Sequence, residues 1–316
     1  MTNYTAATER TMYFIGVTTG KSSIMKVFPA WAEHLGLNAV MRGIDFPPNY
    51  DPARYREAVA FIKADPLSLG ALVTTHKVNL LKASRDLFDA LDPYAETLHE
   101  ISSISKRGDQ LIGHAKDPIT AGASFEAIVD ERHWASTGGE LLILGSGGSS
   151  LALTLYLQNK AQSGGDVPRA ITVTARRDAS LAEMRKVHAE IGFSIPVTYT
   201  LAPTPEEADT VVASLPAHSM VVNATGLGKD GPGSPVSDAV VYPENAIVWE
   251  FNYRGDLVFL DQARAQTSDR NLKVEDGWVY FIHGWTRVIA EVFDIDIPMS
   301  GSAFDALSQI AKDATS

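Results

Sequence analysis

Residues 140–145 form a short apolar run that breaks at Gly145-Ser146-Gly147-Gly148-Ser149-Ser150 and resumes as a helical stretch over 151–159. A buried strand entering a glycine-rich turn and then a helix belongs to a sheet covered by helices. The turn also gathers backbone N–H groups and a helix N-terminus at one point, which suits a pyrophosphate. The order is G-x-G-G-S-S, and the small Ser150 at the last glycine position still lets helix and strand pack closely. A second strand over 171–175 completes the unit and favours dinucleotide binding. It ends in Ala175-Arg176-Arg177, where a carboxylate for a ribose 2′-hydroxyl is usual. Guanidinium groups there pair with a 2′-phosphate, so NADP is expected as cofactor rather than NAD.

The rest of the chain alternates in the same way. Strands are expected over 12–17, 39–44, 71–74 and 110–113, with helices over 54–64 and 80–91, the latter stopped by Asp92-Pro93. Ile24, Val27, Phe28, Trp31, Ala32 and Leu35 recur at helical spacing behind a Ser22 or Ser23 cap, and Gly36 ends that helix. From about residue 125 the pattern restarts, with a helix over 181–191, strands over 220–223 and 247–251, and helices in the last forty or so residues. The first ten residues are polar and read as a loose terminus.

Composition closes off several function classes. The 316 residues make about two domains at a typical ~150 each. With 27 basic and 38 acidic residues the net charge is −11, against nucleic-acid binding and against an anionic membrane surface. A local cationic pocket for an anionic small molecule stays open. Cysteine is absent, and no apolar run approaches the ~18 residues of a membrane helix, which fits a cytoplasmic location. The eight histidines show no ligand spacing, so no metal is expected. No G-x-S-x-G hydrolase elbow is present.

The motifs, taken in order, resemble the shikimate/quinate dehydrogenase family over about residues 12–300. Ile15-Gly16 with Ser22 resembles its opening strand and serine loop, Val73-Thr74-Thr75-His76-Lys77 its N-V-T-x-P-x-K, and residues 111–117 its L-x-G-x-N-T-D. The glycine turn and Ala175-Arg176-Arg177 resemble its cofactor loops. Asn223-Ala224-Thr225-Gly226-Leu227-Gly228 resembles N-A-T-x-x-G, Tyr253 the family's late tyrosine, and Asp276-Gly277 the start of D-G-x-x-M.

The resemblance implies an N-terminal α/β substrate domain, an NADP-binding Rossmann domain and C-terminal helices that return to the first domain. The expected borders are 1–125 with 277–316, and 126–276. It implies that Lys77 and Asp117 take the proton of the alcohol being oxidised, Lys77 as base or as electrostatic stabiliser. It further implies substrate contacts at Ser22, Thr74, Ser102, Tyr253 and Gly284. Cofactor contacts are expected at Gly145, Ser146, Gly147, Gly148, Ser149, Arg176, Arg177, Asn223, Ala224, Thr225 and Gly277. Residues 231–235 read as a mobile loop near the cofactor.

Several positions depart from the family pattern. Ile24 stands at the second serine of S-x-S, Ser102 at the asparagine of N-T-V, Ala115 at the asparagine of N-T-D, and Gly284 at the substrate glutamine. Lost hydrogen bonds of this kind weaken a polyhydroxylated ligand by ~1–3 kcal/mol each. The expected substrate is therefore shikimate or, better, a related carboxylated cyclic alcohol. Trp278, Tyr280 and Trp285 in the same segment either fill the core or line a pocket for a less polar ring. The expected function is reversible NADP-dependent oxidation of a secondary alcohol by a monomer or homodimer. The alternative is a catalytically silent NADP- or metabolite-binding sensor of the same fold, motivated by the lost polar positions.

Overall fold

The computed structural model describes residues 4–229 and 231–315. In chain order the elements begin β1 (Thr11–Gly16), α1 (Ile24–His34), β2 (Val40–Asp45), α2 (Pro52–Ala64), β3 (Ser68–Val73) and α3 (Lys77–Ser84). They continue with β4 (Ala90–Leu91), α4 (Pro93–Leu98), β5 (Ser103–Arg107), β6 (Gln110–His114), α5 (Asp117–Ile128) and α6 (His133–Thr137). Next come β7 (Leu141–Leu144), α7 (Gly148–Gln162), β8 (Ile171–Ala175), α8 (Asp178–Glu190), β9 (Val197–Leu201) and α9 (Pro205–Ala213). The chain closes with β10 (Met220–Asn223), β11 (Ile247–Glu250), α10 (Val258–Arg264), α11 (Thr267–Arg270), β12 (Lys273–Glu275), α12 (Trp278–Phe293) and α13 (Ser302–Thr315).

These elements form two compact units, Met1–Lys116 with Ile282–Ser316, and Asp117–Phe281. The first unit thus ends at Lys116, nine residues before the border at 125 expected from the sequence. The cause is α5. Its Gly122 lies so close to the Tyr156 ring of α7 that a Cβ would collide with it, and its Phe125 shares a core with Leu153 and Leu157.

In the first unit the sheet order is β2-β1-β3-β5-β6-β4. β1 pairs in parallel with β2 and β3, while β3–β5 and β5–β6 are antiparallel, so the sheet is mixed. Tyr55, Val59 and Ile62 of α2 and Leu80 of α3 pack with Ile15, Val73, Ile104 and Leu111 in one core. The helical-spacing residues Ile24, Val27, Phe28, Trp31 and Ala32 are all buried on α1. The Trp31 indole N–H donates to the Leu307 carbonyl of α13 at 2.8 Å. Phe14 meets the edge of Trp285, with ring centroids 5.0 Å apart.

Two expectations fail here for physical reasons. Residues 4–10 are not loose: Tyr4 stacks on Phe61, and the buried Ala7 donates its N–H to Asp65 at 2.8 Å. The expected helix over 80–91 stops at Ser84, whose hydroxyl donates back to the Leu80 carbonyl, and continues only as a 3₁₀ turn over Arg85–Leu87.

The second unit holds an all-parallel sheet of order β12-β11-β10-β7-β8-β9. Side chains alternate between its faces. Leu141, Ile143, Val173, Val222 and Trp249 pack into one core with α5 and α7. Leu142, Leu144, Val221 and Val248 pack into another with Val212, Phe259 and Ala263 of α9 and α10. Both faces are covered, which is why the central strands β7, β10 and β11 read as largely apolar runs, whereas the edge strands β9 and β12 are partly exposed and do not. The strand order changes direction between β7 and β10, and ligands of open α/β sheets bind at such a point.

Candidate functional site

The turn after β7 is built on Gly145, whose φ of 107° only glycine adopts without strain. A Cβ there would stand 2.9 Å from the Ala224 carbonyl, so the ends of β7 and β10 are in close apposition. The Ser150 hydroxyl closes the turn by donating to the Gly145 carbonyl at 2.7 Å. Gly147 precedes α7 and offers no side chain to cap it. The Ser146 hydroxyl is buried with no hydrogen-bond partner among the described residues. An uncapped helix start beside an unsatisfied hydroxyl, reached by backbone N–H groups, suits an anionic oxygen.

A cavity of about 570 Å³ opens at this turn. Gly145, Ser146, Gly147, Arg176, Arg177, Ala224 and Thr225 all line it. Gly148 and Ser149 open α7 but are not part of its wall, and Asn223 is fully buried behind it. Gly277 lies in a second close approach, where a Cβ would collide with the backbone of residues 251 and 252. Pro232 to Pro235 also line the cavity, and the Gly231 carbonyl accepts the Gly228 N–H at 2.7 Å. Of the sequence stretch around this loop, Asp230 lies outside the described residues.

Sequence reasoning missed three groups here. Ser180 and Glu183 line the cavity beside the arginines, and Arg177 donates to the Ser180 hydroxyl at 3.4 Å. Glu250, fully buried at the end of β11, accepts from the Asn223 amide at 2.5 Å and from the Asn252 amide and backbone N–H at 2.6 and 2.8 Å. Burial pushes its carboxyl up to about 7, against the opposing effect of those N–H donors and of Lys229.

In the first unit, the ends of β1, β3 and β5 meet. Thr74 donates its N–H to the Ile15 carbonyl and Val73 its N–H to the Ser102 carbonyl, both at 2.9 Å. Thr75 has a positive φ of 44°, and α3 then starts at Lys77. His76 is buried under this turn. Its Nε2 faces the Gly16 carbonyl at 3.2 Å and its Nδ1 the Tyr55 hydroxyl at 3.0 Å. A carbonyl only accepts, so Nε2 carries the proton and Tyr55 donates to Nδ1.

Other expected substrate residues are placed variously. Ser22 is half-buried just before α1, and Ile24 is wholly inside the core. Ser102 is 3% exposed, and its hydroxyl oxygen accepts the Lys116 N–H at 2.7 Å, a backbone brace rather than an open contact. Gly284 lies within α12. Tyr253 stacks on Phe281 at 4.1 Å, with Trp278 against the same ring. Asp117 opens α5 in the second unit, whereas Lys77 belongs to the first. Trp285 and Tyr280 are packing residues, against Phe14 and against Trp249 and Phe251 respectively. His283 is stacked on Phe304, and burial and then Arg287 push it down to about 4. Behind β6, Lys116 pairs with Glu291 at 2.6 Å and His114 with Glu291 at 3.3 Å, a network with no sequence signature. No cluster of metal-ligating side chains occurs among the described residues, and no helix there is long and apolar enough to cross a membrane.

No protein-family model matches the chain. Among curated proteins, an NADP⁺-dependent shikimate dehydrogenase of Lactococcus lactis is 28% identical over 183 residues, 56% of this chain and 59% of that one. The match therefore spans less than two thirds of the Lactococcus protein. An NADP⁺-dependent shikimate dehydrogenase of Symbiobacterium thermophilum is 30% identical over 223 residues, 69% of this chain and 68% of the relative. Among solved structures, a shikimate dehydrogenase in complex with NADP⁺ superposes with a TM-score of 0.72 at 16% identity, covering 98% of this chain and 96% of the other. The ligand-free 5-ketofructose reductase of a Gluconobacter strain gives 0.70 at 17%, covering 96% and 98%. Both show the same fold over nearly all of the chain. On the strength of the Symbiobacterium relative, the chain belongs to the shikimate dehydrogenase family.

Proposed function

We propose that the protein is an NADP-dependent dehydrogenase that reversibly oxidises a secondary alcohol of shikimate or, better, of a related small cyclic hydroxy acid. The observation that carries this is the cavity at the glycine turn, with Arg176 and Arg177 on its wall and the unsatisfied Ser146 hydroxyl beside the uncapped α7. The donor set fits an extended polyanionic ligand: N–H groups and a hydroxyl for a pyrophosphate, guanidinium groups for a 2′-phosphate. The relatives' names agree in the cofactor they print. Bound there, NADP supplies the hydride acceptor.

The chain's part is proton handling and positioning. Lys77 opens α3 on a turn fixed from beneath by the buried His76. An ammonium group so placed steadies an alkoxide as its proton leaves, and the Asp117 carboxylate is the proposed proton partner. Replacing either group with a neutral side chain should leave NADP⁺ affinity intact and lower turnover by ~10²-fold or more. Normal turnover by Lys77→Ala would overturn this assignment.

The test is NADP⁺ reduction, followed by nicotinamide absorbance, with shikimate, quinate, other cyclic hydroxy acids and reduced sugars of the 5-ketofructose type, and with NAD⁺ in parallel. Turnover of a ring alcohol with NADP⁺ is expected. The second reading, a sensor without turnover, is favoured by one observation: Ile24, Ala115 and Ser102 are all buried, so none of them offers an open polar contact. NADP⁺ binding with silence across the whole panel would establish that reading instead.

A further inference from the structure

The turn 223–228 forms one wall of the cavity through Ala224, Thr225 and Leu227. Its shape is not set by its own backbone alone. The Asn223 side-chain oxygen accepts from the Thr225 N–H at 3.0 Å and from the Thr225 hydroxyl at 2.7 Å. The Thr225 hydroxyl in turn accepts the Leu227 N–H at 3.1 Å. Which way the Asn223 amide faces decides all of this, and one residue decides that. Glu250 takes the Asn223 NH₂ on one carboxylate oxygen and two Asn252 donors on the other. Asn252 also reaches the far end of the turn, donating to the Leu227 carbonyl at 3.3 Å.

We propose that Glu250 is a positioning residue for the cofactor. Its carboxylate, grasped by Asn223 and Asn252, holds both ends of the turn 223–228 in the shape that receives the half of NADP remote from Arg176 and Arg177. The strand order supports that division. β8, which leads into the arginines, lies on one side of β7, and β10, which leads into the turn, on the other. The inference rests on the cofactor reading above.

Three N–H donors converge on Glu250, and a carboxyl that has taken up a proton accepts from them more weakly than the carboxylate does. The other charged or titratable groups acting across this space are the Lys229 ammonium, which favours the ionised form, and the fully buried Tyr242 phenol. Glu250 is buried enough to take up a proton near pH 7. Acid should therefore loosen the turn and weaken NADP through this one group.

The test is calorimetric titration of the full chain with NADP⁺ and with adenosine 2′,5′-bisphosphate, which fills only the arginine half. Glu250→Gln keeps the shape but opposes an NH₂ to the Asn donors. At about pH 8 it should bind NADP⁺ roughly tenfold more weakly and the bisphosphate as well as wild type does. The wild-type advantage over Glu250→Gln should shrink from about pH 8 to about pH 6, the ligand's own phosphate titration being common to both. Asn252→Ala removes the side-chain donor to the carboxylate and keeps the backbone one, so its loss of NADP⁺ affinity should begin at higher pH than in wild type. This second variant carries the test if the first does not fold. Equal losses for both ligands, or pH profiles that neither variant moves, would overturn the proposal. A wild-type chain that binds neither ligand would instead overturn the cofactor reading.

Discussion

Glu250 is held ionised only at a cost to the fold. Its carboxyl is pushed up to about 7 from 4.5, chiefly by burial. The folded state therefore binds a proton that the unfolded chain has already released between those values. The stability linked to Glu250 is fully present below about pH 4.5 and lost as pH rises through about 7, with no further change above. A shift of that size corresponds to about 3 kcal/mol. In urea unfolding, the stability difference between wild type and Glu250→Gln should fall by about that amount from pH 4.5 to 7 and then level. A difference independent of pH would show that the group titrates alike in both states. None of this was legible in the sequence, for a plain reason. Asn223 and Glu250 stand 27 residues apart and meet only because β10 and β11 pair in register, Asn223 opposite Glu250. Arg176 and Arg177 were legible because their meaning is local: they end the strand that follows the glycine turn.

At the level of elements, legibility followed pattern strength. The helix over α1 and the strands β7, β8, β10 and β11 of the second sheet have strong apolar signals, and each forms about where the spacing puts it, whereas the partly exposed edge strands β9 and β12 were missed. β5 was missed because Ser103-Ile104-Ser105-Lys106 carries little apolar character, although it pairs along its whole length with β6. α9 was missed although its start is written in the chain: Pro205 at the first helical position, and Thr204 and Glu207 in a reciprocal capping box. The glycine turn allows a sharp test of which glycine serves the fold and which the ligand. Gly145 combines positive φ with the Ala224 carbonyl 2.9 Å from any Cβ, so Gly145→Ala should destabilise by about 1–3 kcal/mol. Gly147 has an ordinary φ of −85° and nothing within 4 Å of a Cβ. Gly147→Ala should therefore unfold like wild type in a thermal melt yet bind NADP⁺ at least tenfold more weakly, since its methyl enters the cavity wall. Wild-type NADP⁺ affinity in Gly147→Ala would mean that the ligand does not approach this backbone.

At the scale of the whole molecule, the two units differ in how the chain builds them. The second is one continuous segment, Asp117–Phe281. It has apolar cores on both faces of its sheet, and all the residues lining the cavity lie within it. The first is discontinuous, and its N-terminal part depends on the returning segment. Trp31 donates to Leu307, Phe14 meets Trp285, and Arg107 donates to the carbonyls of Glu291 and Val292 at 2.6 and 3.2 Å. Without residues 282–316, the buried faces of Phe14, Phe28 and Trp31 would be laid open to water, at about 2 kcal/mol or more for each large side chain. The segment 117–281 expressed alone should thus melt cooperatively and bind NADP⁺ within a few-fold of the full chain. The segment 1–116 alone should show no cooperative melt, and adding 282–316 through a short flexible linker should restore one. A segment 117–281 that folds but does not bind NADP⁺ would mean that the first unit supplies part of the cofactor's binding surface.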